Sequence, residues 1–87
     1  MYNLVFTAVA EDAYKKIYFS NREHFNRITN ALEDLKIDPW EGKPLKFKLK
    51  GQYSLRVGLY RILYIIEKQK VTVVVLDIGH RKDIYKR

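Results

Sequence analysis

The 87-residue chain has no cysteine, and that one absence removes disulfides, thiolate nucleophiles and cysteine-ligated metal together. It has only two histidines, His24 and His80, too few and too separated for a histidine-based zinc site. No apolar run approaches the roughly 20 residues that a membrane helix needs. The opening MYNLVFTAVAEDAYKK lacks the basic start and long apolar stretch of a signal peptide. There is no internal repeat and no low-complexity segment. The expectation is a cytoplasmic protein with no metal, no cofactor and no membrane association.

What is present describes a globular protein. Hydrophobic residues make up 47% and aromatic residues 14%, enough to bury a core that offsets the entropy of ordering. The length supports one core, so residues 1–87 read as a single domain. The formal net charge of +7 is divided unevenly: residues 1–42 carry −2 and residues 43–87 carry +9. A strongly basic half beside an acidic one points to a polyanionic partner for the basic half. A run of lysines alone would read as a solvated surface. Arginines set inside strand patterns do not.

Hydrophobic periodicity maps the chain as strand, two helices, then strands. Residues 2–7 alternate and are β-rich. Ala10, Ala13, Tyr14, Ile17 and Tyr18 recur at helical spacing, with Thr7 placed to cap and Glu11 and Asp12 suited to the helix dipole. Ser20 with Glu23 resembles a capping box for a second helix. Phe25, Ile28, Leu32 and Leu35 form that helix's apolar stripe, and Asp38-Pro39 ends it. The helical hairpin is therefore predicted over residues 8–37. Beyond Lys43, Tyr53, Leu55 and Val57 alternate with Ser54 and Arg56. Residues 59–66 and 71–78 follow as β-branched runs across turns at Gly58 and at 67–70. Short turns between strands predict an antiparallel meander. The fold class is α+β: an antiparallel sheet of about four strands with the helical hairpin on one face.

Three groups of residues are candidates for chemistry. A hairpin turning at Gly58 brings Arg56 and Arg61 close across adjacent strands. Like charges there destabilise a sheet unless an anion sits between them, and guanidinium forks match phosphate. The simpler alternative pairs one arginine with a helix carboxylate such as Glu33 or Glu41. The segment Gly79-His80-Arg81-Lys82-Asp83-Ile84-Tyr85 holds an imidazole, a guanidinium and a phenol within a few positions. Histidine suits proton transfer near neutrality, although by spacing alone His80 reads as a polar residue at a strand end. Aromatic residues also interleave with the basic ones: Phe47, Tyr53, Tyr60, Tyr64 and Tyr85. Stacked bases would favour such rings. Of these only Tyr85 has no evident core position, and the other four read as core or half-core.

The stretches Leu49-Lys50-Gly51, Arg56-Val-Gly-Leu-Tyr-Arg61 and Gly79-His-Arg-Lys-Asp-Ile-Tyr85 resemble the RelE toxins of the RelE/ParE superfamily. The resemblance covers nearly the whole chain and implies a RelE-like fold. It implies a type II toxin–antitoxin toxin that enters the ribosomal A site and cuts translated mRNA without metal, inhibiting translation. It implies partners as well: a RelB-like antitoxin in a hetero-oligomeric complex, the ribosome and its mRNA. By position, Arg61 and Arg81 match the family's catalytic arginines and Tyr85 its near-terminal tyrosine. Arg56 stands where the family often has a catalytic lysine, and His80 where some members have lysine. Ser54 is a departure from a basic residue found there in some members. Lys48, Lys50, Ser54 and Lys82 are the expected RNA-binding residues, with Lys48, Lys50, Arg56, Arg61 and Arg81 around one basic surface. Two other readings remain: a ParE-type inhibitor of DNA gyrase, and a basic RNA-binding domain that does not cut.

Overall fold

A computed structural model describes residues 1–80; Arg81, Lys82 and Tyr85 lie outside the described residues. The chain runs β1 (Asn3–Phe6), α1 (Ala8–Ser20), α2 (Arg22–Ile37), β2 (Lys43–Pro44), β3 (Gln52–Val57), β4 (Tyr60–Glu67) and β5 (Thr72–His80), with short 3₁₀ turns at Pro39–Glu41, Phe47–Leu49 and Lys68–Lys70.

Local chemistry accounts for the helical hairpin. Thr7 caps α1, its Oγ1 accepting from the Ala10 N–H at 3.1 Å. The cap of α2 is Asn21 rather than Ser20: its side-chain oxygen accepts from the His24 N–H at 3.1 Å. The two helices therefore meet with a single residue between them. Asp38 closes α2, and its carboxylate accepts from the Trp40 N–H at 3.1 Å as Pro39 turns the chain. Ile17, Ile28, Leu32 and Leu35 are buried as the periodicity predicts, and Phe25 is half-buried against them.

The sheet has five strands in the order β1-β5-β4-β3-β2, and it is mixed. The meander β3-β4-β5 is antiparallel, as expected. The first strand departs from the expectation of an all-antiparallel sheet: β1 pairs in parallel with β5, Asn3 opposite Thr72 and Phe6 opposite Val75. The helical hairpin is the crossover that parallel pairing requires, since no tight turn reverses the chain after β1. The fifth strand, β2, is a two-residue edge opposite Ser54 and Tyr53. The core lies between the helices and one sheet face, where Ile62, Tyr64, Val73, Val75 and Ile78 are all buried.

One irregularity decides which side chains share a face. Leu63 pairs with Asp77 while Tyr64 pairs with Val75, so Leu76 is an extra residue on β5. Such a bulge inverts the alternation of everything beyond it. Val73 and Val75 face the helices before it; Ile78 and His80 do so after it. Thr7 holds the bulge as well as the helix cap, donating from Oγ1 to the Leu76 carbonyl at 2.8 Å.

Candidate nucleic-acid interface

The β3–β4 turn needs glycine first. Gly58 has φ +59, and glycine at the first central position of a two-residue hairpin is the type II′ pattern. A Cβ there would lie 3.1 Å from both His24 Nε2 and Arg27 Nη1 on α2, so the turn also packs closely on that helix. With the register set by this turn, Arg56 is directly opposite Arg61. Directly opposed residues share a face with Cβ atoms about 4.5–5.5 Å apart. Both arginines project from the face away from the helices, one residue out of phase with the core residues Leu55, Val57 and Ile62.

The Arg61 guanidinium is held in place: its Nη1 donates to Ser54 Oγ at 3.1 Å, and Ser54 is buried. Ser54 thus orients an arginine where a second basic residue was one possibility. Arg56 is exposed and forms no ion pair with another described residue. The helix carboxylates are engaged elsewhere or solvated; Glu33 pairs with Lys36 at 2.7 Å.

Two residues that sequence reasoning missed belong to this face. Lys43 on β2 is directly opposite Ser54, which adds a third cation beside the arginine pair. Asp77 is buried on the same face opposite Leu63, diagonal to Arg61 across β4 and β5, and its Oδ1 accepts from the Ile78 N–H at 2.8 Å. Neither was legible, because one depends on a two-residue edge strand and the other on the bulge.

His80 is placed on the other face. It is opposite Tyr60, with ring centroids 6.2 Å apart, and Tyr60 in turn lies 5.4 Å from His24 of α2. His80 therefore sits with the helices while Arg56 and Arg61 face away from them. Lys48 and Lys50 are exposed on the β2–β3 loop. Arg81, Lys82 and Tyr85 fall outside the described residues.

The aromatic residues also sort differently from expectation. Tyr64 is fully buried, and Tyr53 stacks on it at 5.5 Å and 18°. Phe47 is the correction: instead of packing in the core it is 92% exposed, with a left-handed φ of +57. Between Glu41 and Glu67 the chain has Lys43, Lys46, Lys48, Lys50, Arg56 and Arg61 but no acidic residue. Among the described residues no three His, Asp or Glu side chains gather as a metal site. No helix of the described residues is long and apolar enough to cross a membrane.

Arg56, Arg61 and Lys43 on one sheet face, with Ser54 orienting Arg61 and the helical hairpin covering the other face, make a small α+β protein with one cationic sheet face. Solved structures similar to it include toxins and toxin–antitoxin complexes. The RelBE2 toxin–antitoxin complex of Mycobacterium tuberculosis matches with a TM-score of 0.81 at 34% identity, over 92% of this chain and 98% of that one. The isolated Escherichia coli RelE toxin shares the fold, with a TM-score of 0.77 at 21% identity over 99% of this chain and 93% of its own. In sequence, Toxin RelG of M. tuberculosis is 48% identical over 58 residues, 66% of this chain and 67% of that protein. The family model for the ParE toxin of type II toxin–antitoxin systems matches residues 4–85, and the chain belongs to that family, within the RelE/ParE superfamily.

Proposed function

We propose that this toxin is a ribosome-dependent endoribonuclease that cuts translated mRNA by attack of a ribose 2′-OH on the adjacent phosphate. The observation that carries the reading is the Arg56–Arg61 pair, two like charges set opposite each other with one of them oriented by Ser54. Two guanidiniums side by side on one face offer the paired donors that match a phosphate group.

The chemistry follows from charge. When the 2′-oxygen bonds to phosphorus, the two non-bridging oxygens of the phosphorane acquire negative charge, and the 5′-oxygen leaves with a proton to give a 2′,3′-cyclic phosphate. Guanidiniums fixed in advance stabilise that charge without reorganising. Arg61 and Arg81 are assigned to the phosphorane, Arg56 to a flanking clamp, and Ser54 to positioning Arg61. Lys43, Lys48, Lys50 and Lys82 add affinity for the backbone. Proton transfer is assigned to Tyr85 ahead of His80, because His80 lies on the helix side while the arginines face away from it. Residues 1–87 act as one domain in the cytoplasm. A RelB-like antitoxin, acidic where this face is basic, holds the toxin inactive in a hetero-oligomeric complex; that the RelBE2 relative is a toxin–antitoxin complex supports this partner.

One observation favours a second reading, inhibition of DNA gyrase: the matching family model is that of the ParE toxin. Primer extension on a translated message separates the readings. Wild type should cut within codons only when ribosomes translate, and Arg61→Ala should cut about 10²–10³ more slowly. Intact message together with inhibited supercoiling would transfer the protein to the gyrase class. Ribosome binding without cutting would leave an RNA-binding domain.

A further inference from the structure

The β2–β3 loop shows a feature that the arginine site does not use. It is closed at its base by the Leu45 N–H donating to the Gln52 carbonyl at 2.9 Å. Within it the Leu49 N–H donates to Lys46 O and the Lys50 N–H to Phe47 O, both at 3.1 Å. The loop is thus an ordered turn whose hydrogen bonds fix the Phe47 backbone. That backbone is left-handed, φ +57, a region that carries a steric penalty for residues other than Gly, Asn and Asp. The ring it carries is 92% exposed. A phenylalanine so placed contributes nothing to the core and strains the chain. Strain of this kind concentrates at binding sites.

The surroundings indicate what the ring meets. Lys46, Lys48 and Lys50 are its neighbours along the loop, and all three are exposed. A ring serving as a protein–protein anchor sits at the centre of an apolar patch that excludes water. The exposed neighbours of this ring along the loop are lysines instead. An aromatic face among cations is the arrangement by which single-stranded nucleic acid is held, bases on the ring and phosphates on the lysines. The loop also continues directly from the arginine face. Lys43 lies opposite Ser54, and the four residue-to-residue steps from Lys43 to Phe47 span at most about 14 Å.

We infer that Phe47 is a base-stacking platform, with Lys46, Lys48 and Lys50 as its phosphate contacts, and that it holds the same single RNA strand whose phosphate the Arg56–Arg61 pair receives. The inference rests on the RNA-cutting reading above and adds a second point of attachment to it. Two separated contacts fix the register of the strand, so Phe47 selects which phosphate reaches Arg61.

The test is fluorescence anisotropy with the full-length chain and a labelled ten-nucleotide RNA carrying 2′-O-methyl groups, which cannot be cut. Phe47→Ala should weaken binding roughly 5- to 150-fold, the range for loss of one stacked base. Phe47→Trp should bind as well as wild type, and Phe47→Leu should bind like Phe47→Ala. Phe47→Gly should lose binding yet melt no lower than wild type, since glycine relieves the left-handed strain and no core contact is lost. That thermal result separates recognition from folding. Loss of binding in Arg61→Ala with full binding in Phe47→Ala overturns the inference and leaves the nuclease reading standing. Phe47→Leu equal to wild type overturns stacking. No binding by wild type at low salt overturns the inference, and the nuclease reading is then decided by primer extension alone. Loss by Phe47→Ala of affinity for an acidic antitoxin segment, with RNA binding intact, makes the loop a protein contact and overturns the inference.

Discussion

The Tyr64 hydroxyl ties the sheet to the segment that carries Lys43, and its removal has a calculable effect. Tyr64 is fully buried, donates to the Pro39 carbonyl at 2.8 Å, and accepts from the Gly42 N–H at 2.9 Å. Tyr64→Phe keeps the ring but deletes both bonds, leaving a buried carbonyl and a buried N–H without partners. Two such losses cost about 2–4 kcal/mol. In a domain of this size that lowers Tm by roughly 10–25 °C. Gly42→Ala attacks the same point from the other side, because a Cβ there would clash with the Tyr64 oxygen. Overpacking of that kind costs about 1–3 kcal/mol. Since both changes act through one hydroxyl, the double variant should be less destabilised than the two singles combined, by at least about 1 kcal/mol. Burial also pushes the Tyr64 phenol up from 10.0 to about 12, with the nearby Glu41 carboxylate adding to the rise and the Gly42 N–H opposing it. The neutral phenol is favoured in the fold. Its contribution is therefore complete below pH 10 and is lost as pH rises from 10 to 12, so wild type should lose more stability across that window than Tyr64→Phe. Urea melts of the four proteins at neutral pH, with wild type and Tyr64→Phe repeated through alkaline pH, check each step. Additivity within about 0.5 kcal/mol, or equal alkaline losses, would refute the shared-hydroxyl argument.

Arg56→Leu should have opposite effects on folding and on binding. Removing one of two opposed like charges should raise stability by about 0.2–1 kcal/mol in thermal melts, while RNA affinity falls and the slope of log K against log salt shrinks by about one. Tyr85→Phe should cut as poorly as Tyr85→Ala, with His80→Gln close to wild type, when rates are compared by primer extension. Near-normal cutting by Tyr85→Phe would reduce the tyrosine to a stacking role, and a large loss in His80→Gln without loss of ribosome binding would move proton transfer to the imidazole.

Much of this protein was determined by sequence because the physics involved is local. The helical stripe, the Thr7 cap and the Asp38-Pro39 stop act within one or two turns of chain, so α1 and α2 fall within the predicted span 8–37. The arginine pair was legible for the same reason: glycine at position 58 sets a two-residue hairpin, and the hairpin sets the register of Arg56 against Arg61. Where local rules competed, the assignment slipped. Ser20 and Asn21 are both good caps, and the asparagine is used.

Only the tertiary structure decided the rest, because these features depend on partners distant in the chain. Nothing in residues 2–7 states that β1 pairs in parallel with β5, since either orientation buries the same side chains. Leu76 is an ordinary apolar residue in an apolar strand, and its role as a bulge exists only once β4 lies beside it and Thr7 reaches its carbonyl. That extra residue carries Asp77 to the arginine face and His80 to the helix face, the reverse of what an alternation continued from Val73 and Val75 assigns. Phe47 reads as core in any hydrophobicity pattern. It is exposed because the loop closes on its own backbone before the ring can reach the sheet, and exposure is decided by what other elements cover.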